Sequence, residues 1–137
     1  MIYLLDTSAL LAFLLNEREA DRVESLIFTR SGSPTCAVSF ASWIEIHGRL
    51  RFLGIPQEEI RDQLTDARAL PLETLWPDES IMEVMMSLKS RRFFPFADAL
   101  IAATARANDL TLLHKDEHFA ALPADIKQIN LDGPWRR

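Results

Sequence analysis

Four acidic side chains stand where carboxylates are costly. Asp6 directly follows the apolar run Ile2-Tyr3-Leu4-Leu5, and Glu45 is flanked by Trp43, Ile44 and Ile46. Asp98 follows Phe94-Pro95-Phe96, and Asp116 comes just after Leu110 to Leu113. A carboxylate in apolar surroundings is disfavoured unless it is paired or bound to a cation. Each acid alone has an ordinary explanation: an N-cap for Asp6, an exposed helix position for Glu45, a first-turn dipole partner for Asp98, a turn residue for Asp116. What sets them apart is that each falls at, or within reach of, the C-terminal edge of an expected strand.

Such a cluster suggests metal chemistry. Two unit charges about 4 Å apart repel by about 4 kcal/mol at an effective dielectric near 20. A hard divalent cation relieves this, and oxygen-only ligands suit Mg²⁺, with Mn²⁺ as a substitute. A metal so held can activate water and stabilise charge on a phosphodiester; two ions about 3.5–4 Å apart would divide the attacking and leaving oxygens between them. On this reading Asp6, Asp98 and Asp116 are ligands, direct or through water, and Glu45 is a ligand or a general base.

The elements that must position these acids alternate between strands and helices. Ile2 to Leu5 is apolar without alternation, as expected for a strand covered on both faces. Thr7 or Ser8 can cap a helix over Ala9 to Leu15. A second helix is expected over Glu17 to Arg30, with Ala20, Val23 and Ile27 on one face. The loop Ser31-Gly32-Ser33-Pro34 precedes a second strand, Thr35 to Val38. Ser39 can cap the next helix, with Phe40, Trp43, Ile44, Ile46 and Leu50 as its apolar positions; it stops at Gly54. Gln57 to Arg68 is helical, and Leu70 to Glu73 is a weak strand that Pro71 demotes to an edge. A helix opened by Asp78 or Glu79 ends in the basic run Lys89 to Arg92. Ala97 to Ala107 is helical, Leu110 to Leu113 is the fourth strand, Glu117 to Leu122 is one helical turn, and Ile126 to Leu131 holds the fifth strand. The chain ends in the basic tail Trp135-Arg136-Arg137. This pattern predicts an α/β fold, with a central, mostly parallel five-stranded sheet between helices on both faces.

The totals fit that reading. With 137 residues, 48% hydrophobic and 26% charged, the chain suits a single soluble domain spanning 1–137. Its one cysteine, Cys36, excludes an internal disulfide, which fits a reducing, cytoplasmic setting. The N-terminal apolar run lacks a basic n-region and carries Asp6, so neither a signal peptide nor a membrane span is expected. Fifteen basic against twenty acidic residues give a net charge of −5, which argues against nucleic-acid binding driven by global charge.

From LLDTSALLAFL, through SFASWIEIHGRL, to FADALIAATARANDLTLLHKDEHF, the chain resembles the PIN-domain family and, within it, the VapC-type toxins of prokaryotic toxin–antitoxin pairs. The first and last segments match specifically, the middle one loosely. The resemblance implies a three-layer PIN-like fold and a metal-dependent endoribonuclease acting on RNA phosphodiesters. It implies that the positions of Asp6, Glu45, Asp98 and Asp116 bind divalent metal. It also implies a homodimer and a VapB-like antitoxin that occludes the site. Thr7 and Ser8 match the pattern after the first acid. His114 departs from it, since the family often carries Thr or Ser there; a neutral imidazole at that place could accept or donate instead.

Three other chemistries compete. His114-Lys115-Asp116-Glu117-His118 matches H-x-x-E-H, a zinc-peptidase pattern with His114 and His118 as ligands and Glu117 between them. It needs one long helix, whereas here it follows a strand and Pro123 stops any helix. A flavodoxin-like phosphoacceptor module would use Asp6 as acceptor but gives Glu45 and Asp98 no task. A phosphatase using Asp6 as nucleophile would want a second acid two residues on, where Ser8 stands. Met82, Met85 and Met86 with Phe93 and Phe94 form a further candidate association surface, with Met85 on the core-facing side.

Overall fold

In the computed structural model, which describes residues 1–133, five parallel strands form one sheet in the order β3-β2-β1-β4-β5. They are β1 (Tyr3–Leu5), β2 (Cys36–Ser39), β3 (Leu72–Leu75), β4 (Thr111–His114) and β5 (Gln128–Asn130). Helices α1 (Thr7–Leu14) and α2 (Ala20–Ile27) join β1 to β2, and α3 (Phe40–Phe52) and α4 (Gln57–Arg68) join β2 to β3. The return from β3 to β4 runs through α5 (Glu79–Arg91) and α6 (Phe96–Ala107), and a short 3-10 helix, Glu117–Ala121, precedes β5. The basic tail Trp135-Arg136-Arg137 lies outside the described residues.

This is the expected three-layer arrangement, and the apolar strand runs explain it. Successive side chains of a strand point to opposite faces. Leu4, Ala37 and Leu112 pack with α5 and α6 residues such as Ile81, Leu88, Leu100 and Ile101. Leu5, Val38 and Leu113 pack on the other face with Ala9, Val23, Ile46 and Ile60 of α1 to α4. Both faces of the central strands are therefore buried, and no alternation of polar residues survives in the sequence.

The connections also place a crevice. From β1 the chain winds outward through β2 to β3, then crosses back and continues outward through β4 and β5. Right-handed crossovers put α1 to α4 on one face and α5 and α6 on the other. The switch of direction falls between β1 and β4, and in open α/β sheets ligands collect there, beyond the carboxyl ends of the strands.

Several local expectations are refined. Asp6 itself is the N-cap of α1, accepting from the Ala9 N–H at 2.8 Å, so the helix starts at Thr7 rather than being capped by Thr7 or Ser8. The second helix is shorter than its periodicity suggests, because Asn16 takes a left-handed turn with φ of 50° and Glu17 to Glu19 form the corner. Ile44 is 64% exposed, pointing away from the layer that Ile46 and Leu50 join. The weak third strand is the sheet edge, displaced to begin just after Pro71.

Leu113→Ala should destabilise the protein by about 2–5 kcal/mol, as for other fully buried leucines. Chemical denaturation would measure this, and a loss well under 1 kcal/mol would show that the central strands do not carry the core.

Candidate active site

All four predicted acids line one cleft of about 330 Å³ at the switch point of the sheet, together with Thr7, Ser8, Glu17, Arg49 and Lys115. Each acid arrives from a different element. Asp6 ends β1, Glu45 lies on α3 after β2, Asp98 sits in the first turn of α6, and Asp116 caps the 3-10 helix after β4. A larger cavity of about 630 Å³ between α3 and α4 is lined by Trp43, His47, Arg61 and Arg68 but by no carboxylate. Size therefore does not mark the chemistry here.

Hydroxyls of the first turn of α1 hold two of the acids. Ser8 Oγ donates to the Asp6 carboxylate, 2.7 and 2.9 Å from its two oxygens, and accepts the Lys115 N–H at 2.9 Å. One side chain thus ties the end of β1 to the loop after β4. Thr7 Oγ1 donates to Glu45 Oε1 at 2.6 Å and lies 3.1 Å from Ser42 Oγ, which links α1 to α3.

The electrostatics are those of crowded carboxylates. Burial, helped by the charges of Asp116 and Glu45, pushes the Asp6 carboxyl up to about 7 against hydrogen bonds from Ser8 and Ala9. Burial also raises Asp98, again helped by Asp116 and Glu45, while His118 acts in the opposite direction. Oxygen atoms of Asp98 and Asp116 and a ring nitrogen of His118 all lie within 4.8 Å of one another. Asp6 and Glu45 line the same cleft but stand outside this closest group. A donor set dominated by carboxylate oxygens, with like charges raising one another, fits a divalent cation.

His114 lies behind the cleft, not in it. The ring is 1% exposed and packs edge-on against Phe119 at 5.1 Å. Its Nδ1 accepts the Asp116 N–H at 3.1 Å, so the proton sits on Nε2, which donates to Gln128 Oε1 at 2.8 Å. Burial holds its pKa below the usual histidine range, consistent with a neutral ring. Both nitrogens are used: the imidazole accepts and donates as the sequence allowed, and its partners are the Asp116 backbone and the Gln128 side chain. The same geometry overturns the zinc-peptidase reading: His114 ends a strand, while His118 and Glu117 lie on a separate 3-10 turn rather than on one long helix.

Other residues of the cleft were not anticipated. Arg49 could have been found, since it lies one turn beyond Glu45 and shares its face. His118, read from the sequence only as a zinc ligand, is brought within 3.2 Å of Asp116 by the 3-10 turn. Glu17 carried no signal; the left-handed corner at Asn16 brings it to the cleft.

The raised Asp6 pKa makes a prediction about stability. Between about pH 4 and 7 the folded protein keeps a proton that the unfolded chain has released, so stability should fall as pH rises through this window. Asp6→Asn keeps an acceptor for the Ala9 N–H. Measured with chelator present, it should flatten the decline and melt higher than wild type above about pH 7. A wild-type melting temperature that rises across the window would contradict the assignment.

The same fold recurs in solved structures. VapBC2 from Rickettsia felis, bound to a DNA fragment from its promoter, matches with a TM-score of 0.77 at 20% identity, over 95% of this chain and 98% of the other. VapBC-1 from nontypeable Haemophilus influenzae gives 0.74 at 20% identity, over 97% and 100%. VapC20 from Mycobacterium tuberculosis, described as a toxin that cleaves the sarcin–ricin loop, gives 0.62 at 17%, over 87% and 93%. No curated protein sequence matches the chain. The PIN domain profile matches residues 3–125. A five-stranded parallel sheet with acids gathered at its switch point thus coincides with a sequence match over most of the chain, which belongs to the PIN domain family.

Proposed function

We propose that the protein is a metal-dependent endoribonuclease, a single nuclease domain that acts as the toxin of a toxin–antitoxin pair. The observation that carries this is the convergence of Asp6, Glu45, Asp98 and Asp116, from four separate elements, on one cleft at the sheet's switch point. Their donor chemistry favours Mg²⁺, with Mn²⁺ as a substitute. Asp98 and Asp116 would hold the ion, with His118 beside them and Asp6 contributing directly or through water. When bound, the ion supplies activation of water and balances charge on the phosphate oxygens. Glu45 is a further donor or the base that takes the water proton. Thr7 and Ser8 keep Glu45 and Asp6 aimed into the cleft, and His114 keeps the Asp116 turn in place. The family membership and the VapC20 likeness support RNA as substrate. The likeness to VapBC complexes supports a VapB-like antitoxin that covers the cleft. Nothing in the geometry favours a phosphoacceptor. Asp6 is buried, bonded through both oxygens and ringed by carboxylates that would repel a phosphodonor.

Asp98→Asn, Asp116→Asn, Asp6→Asn and Glu45→Gln should each lower Mg²⁺-dependent cleavage of total RNA at least about 100-fold, with the fold retained. Asp21→Asn, on the exposed start of α2, should be silent. Near wild-type cleavage by Asp98→Asn would refute the assignment. Because the ion binds the ionised site, Mg²⁺ should raise the melting temperature more at about pH 8 than at about pH 5.

We also propose that a second copy of the chain covers the apolar groove of about 540 Å³ that runs along α5. Met82 and Met86, 51% and 57% exposed, form its outer stripe, with Phe96 beside them, while Met85 packs inward. Asp78 caps helix α5 and Glu79 opens it, while Lys89 and Arg91 lie in its last turn and Arg92 caps its end. Antiparallel pairing with its own copy would therefore set acidic ends against basic ends. Met82→Glu with Met86→Glu should turn a dimer into a monomer in light-scattering measurements. A monomeric wild type, or a dimeric double variant, would remove this surface from consideration.

A further inference from the structure

The cavity of about 630 Å³ between α3 and α4 is lined by two arginines and a histidine, and by no carboxylate. Four other cavities each include an acid: Asp6 and its neighbours in the cleft, Glu83 and Asp125 beside α5, Asp78 in the apolar groove, and Asp66 between α1 and α4. The chain carries 20 acidic against 15 basic residues, so an even scatter would not leave its largest described cavity without acid. Helix α4 produces the exception by separating its charges. Arg61, Leu64, Thr65 and Arg68 recur at i, i+3, i+4 and i+7 and face the cavity together. Glu58, Asp62 and Asp66 follow one another every four residues on the adjoining stripe, a spacing at which like charges destabilise a helix. Among the described residues no ion pair forms within α4. Interleaved charges would serve the helix better; separated ones serve the cavity.

The floor of the cavity is carbon. Trp43 and Leu64 pack on the buried cluster beneath it, and the Trp43 indole N–H donates to Thr74 Oγ1 of β3 at 2.9 Å. That bond uses the only polar atom of the ring, so the indole presents carbon to the cavity. The acid cleft is a separate place. Trp43 and His47 share one face of α3, and Glu45, midway between them, falls on the opposite face at 3.6 residues per turn. We propose that the cavity binds a nucleoside polyphosphate, its base against Trp43 and Leu64 and its phosphates held by Arg61 and Arg68. Seven residues, about 10.5 Å of helix, separate the two arginines, which suits a chain of phosphates better than a single carboxylate. Guanidinium groups meet phosphate oxygens in pairs, and Thr65 between them adds a hydroxyl donor. An aromatic ring accepts any base by stacking, and the volume lies within the roughly 300–1,000 Å³ of small-molecule sites. This binding site stands apart from the nuclease reading and does not depend on it.

Equilibrium dialysis of the full chain against ADP, with chelator present, tests the proposal. Without metal the carboxylates of the acid cleft repel the nucleotide, so binding there does not interfere. Saturable binding of one ADP per chain is expected. Arg61→Gln and Arg68→Gln should each weaken it at least about tenfold, the loss of a charge-assisted contact. Arg30→Gln removes an equal charge from the exposed loop before β2 and should bind as wild type. Adenosine, which lacks phosphates, and pyrophosphate, which lacks a base, should each bind at least about tenfold more weakly than ADP. ADP should also quench tryptophan fluorescence. Trp43→Phe keeps an aromatic ring, so it should retain binding and lose the quench. No saturable binding by wild type, wild-type affinity in both arginine variants, or an equal loss in Arg30→Gln would each overturn the proposal. So would pyrophosphate or a hexaglutamate peptide binding as tightly as ADP, since either would mark a plain basic surface. Dialysis in chelator reads binding while metal-dependent cleavage is off, so failure here leaves the nuclease reading standing, and failed cleavage leaves this site standing.

Discussion

A carboxylate buried at the end of the central strand governs the rest of this molecule. Asp6 is 4% exposed, and its environment resists its charge. Three features make it tolerable. It caps α1 through the Ala9 N–H, it accepts a hydrogen bond from the Ser8 hydroxyl, and it opens onto a cleft where a cation can sit. Each has a structural consequence. The cap forces α1 to begin at the very end of β1, with no loop between them. The Ser8 hydroxyl also accepts from Lys115, so the loop after β4 is drawn to the same point. The neighbouring elements bring further acids to the cleft, Glu45, Asp98 and Asp116, alongside Arg49 and Lys115.

The three-layer frame answers those demands. A parallel sheet collects the C-terminal ends of its strands on one edge, and each crossover begins there. Residues far apart in the chain thereby reach one place without long loops. Thr7 meets Glu45 across 38 positions and Ser8 meets Lys115 across 107. The site is held by hydrogen bonds that span layers, while the layers are held by apolar packing on both faces of β1, β2 and β4. The electrostatic strain of the acids is local, and the packing that withstands it is spread through both cores.

Much of this was legible from residue types. Continuous apolar runs marked β1, β2 and β4 because those strands are covered on both faces, and Pro71 marked the edge strand. The acids stood out because they interrupt apolar surroundings. Less could be read where several residues offer the same local bond. Asp6, Thr7 and Ser8 are all competent caps, and burial of the carboxylate decided among them. The direction of His114 was hidden because a strand residue can face either side; Gln128 on β5 and the Asp116 amide, both reached only through tertiary pairing, turn it inward. Glu17 joined the cleft through a backbone turn at Asn16 that no side-chain pattern announces.

Helix α6 shows how residues without reactive groups set the dimensions of a reactive centre. Ala99, Ala102, Ala103 and Ala105 are fully buried, in one cluster with Leu4 of β1 and Leu112 of β4. Methyl-sized side chains let the helix axis lie close to the sheet, and Asp98 rides on its first turn. The spacing between Asp98 and the acids on the strands is thus a thickness, that of a layer of alanine methyls. A wider residue anywhere along that face would act as a shim, lifting the helix and carrying its carboxylate away from Asp116. Selection on the geometry of the cleft would then be felt most sharply by alanines that never touch it.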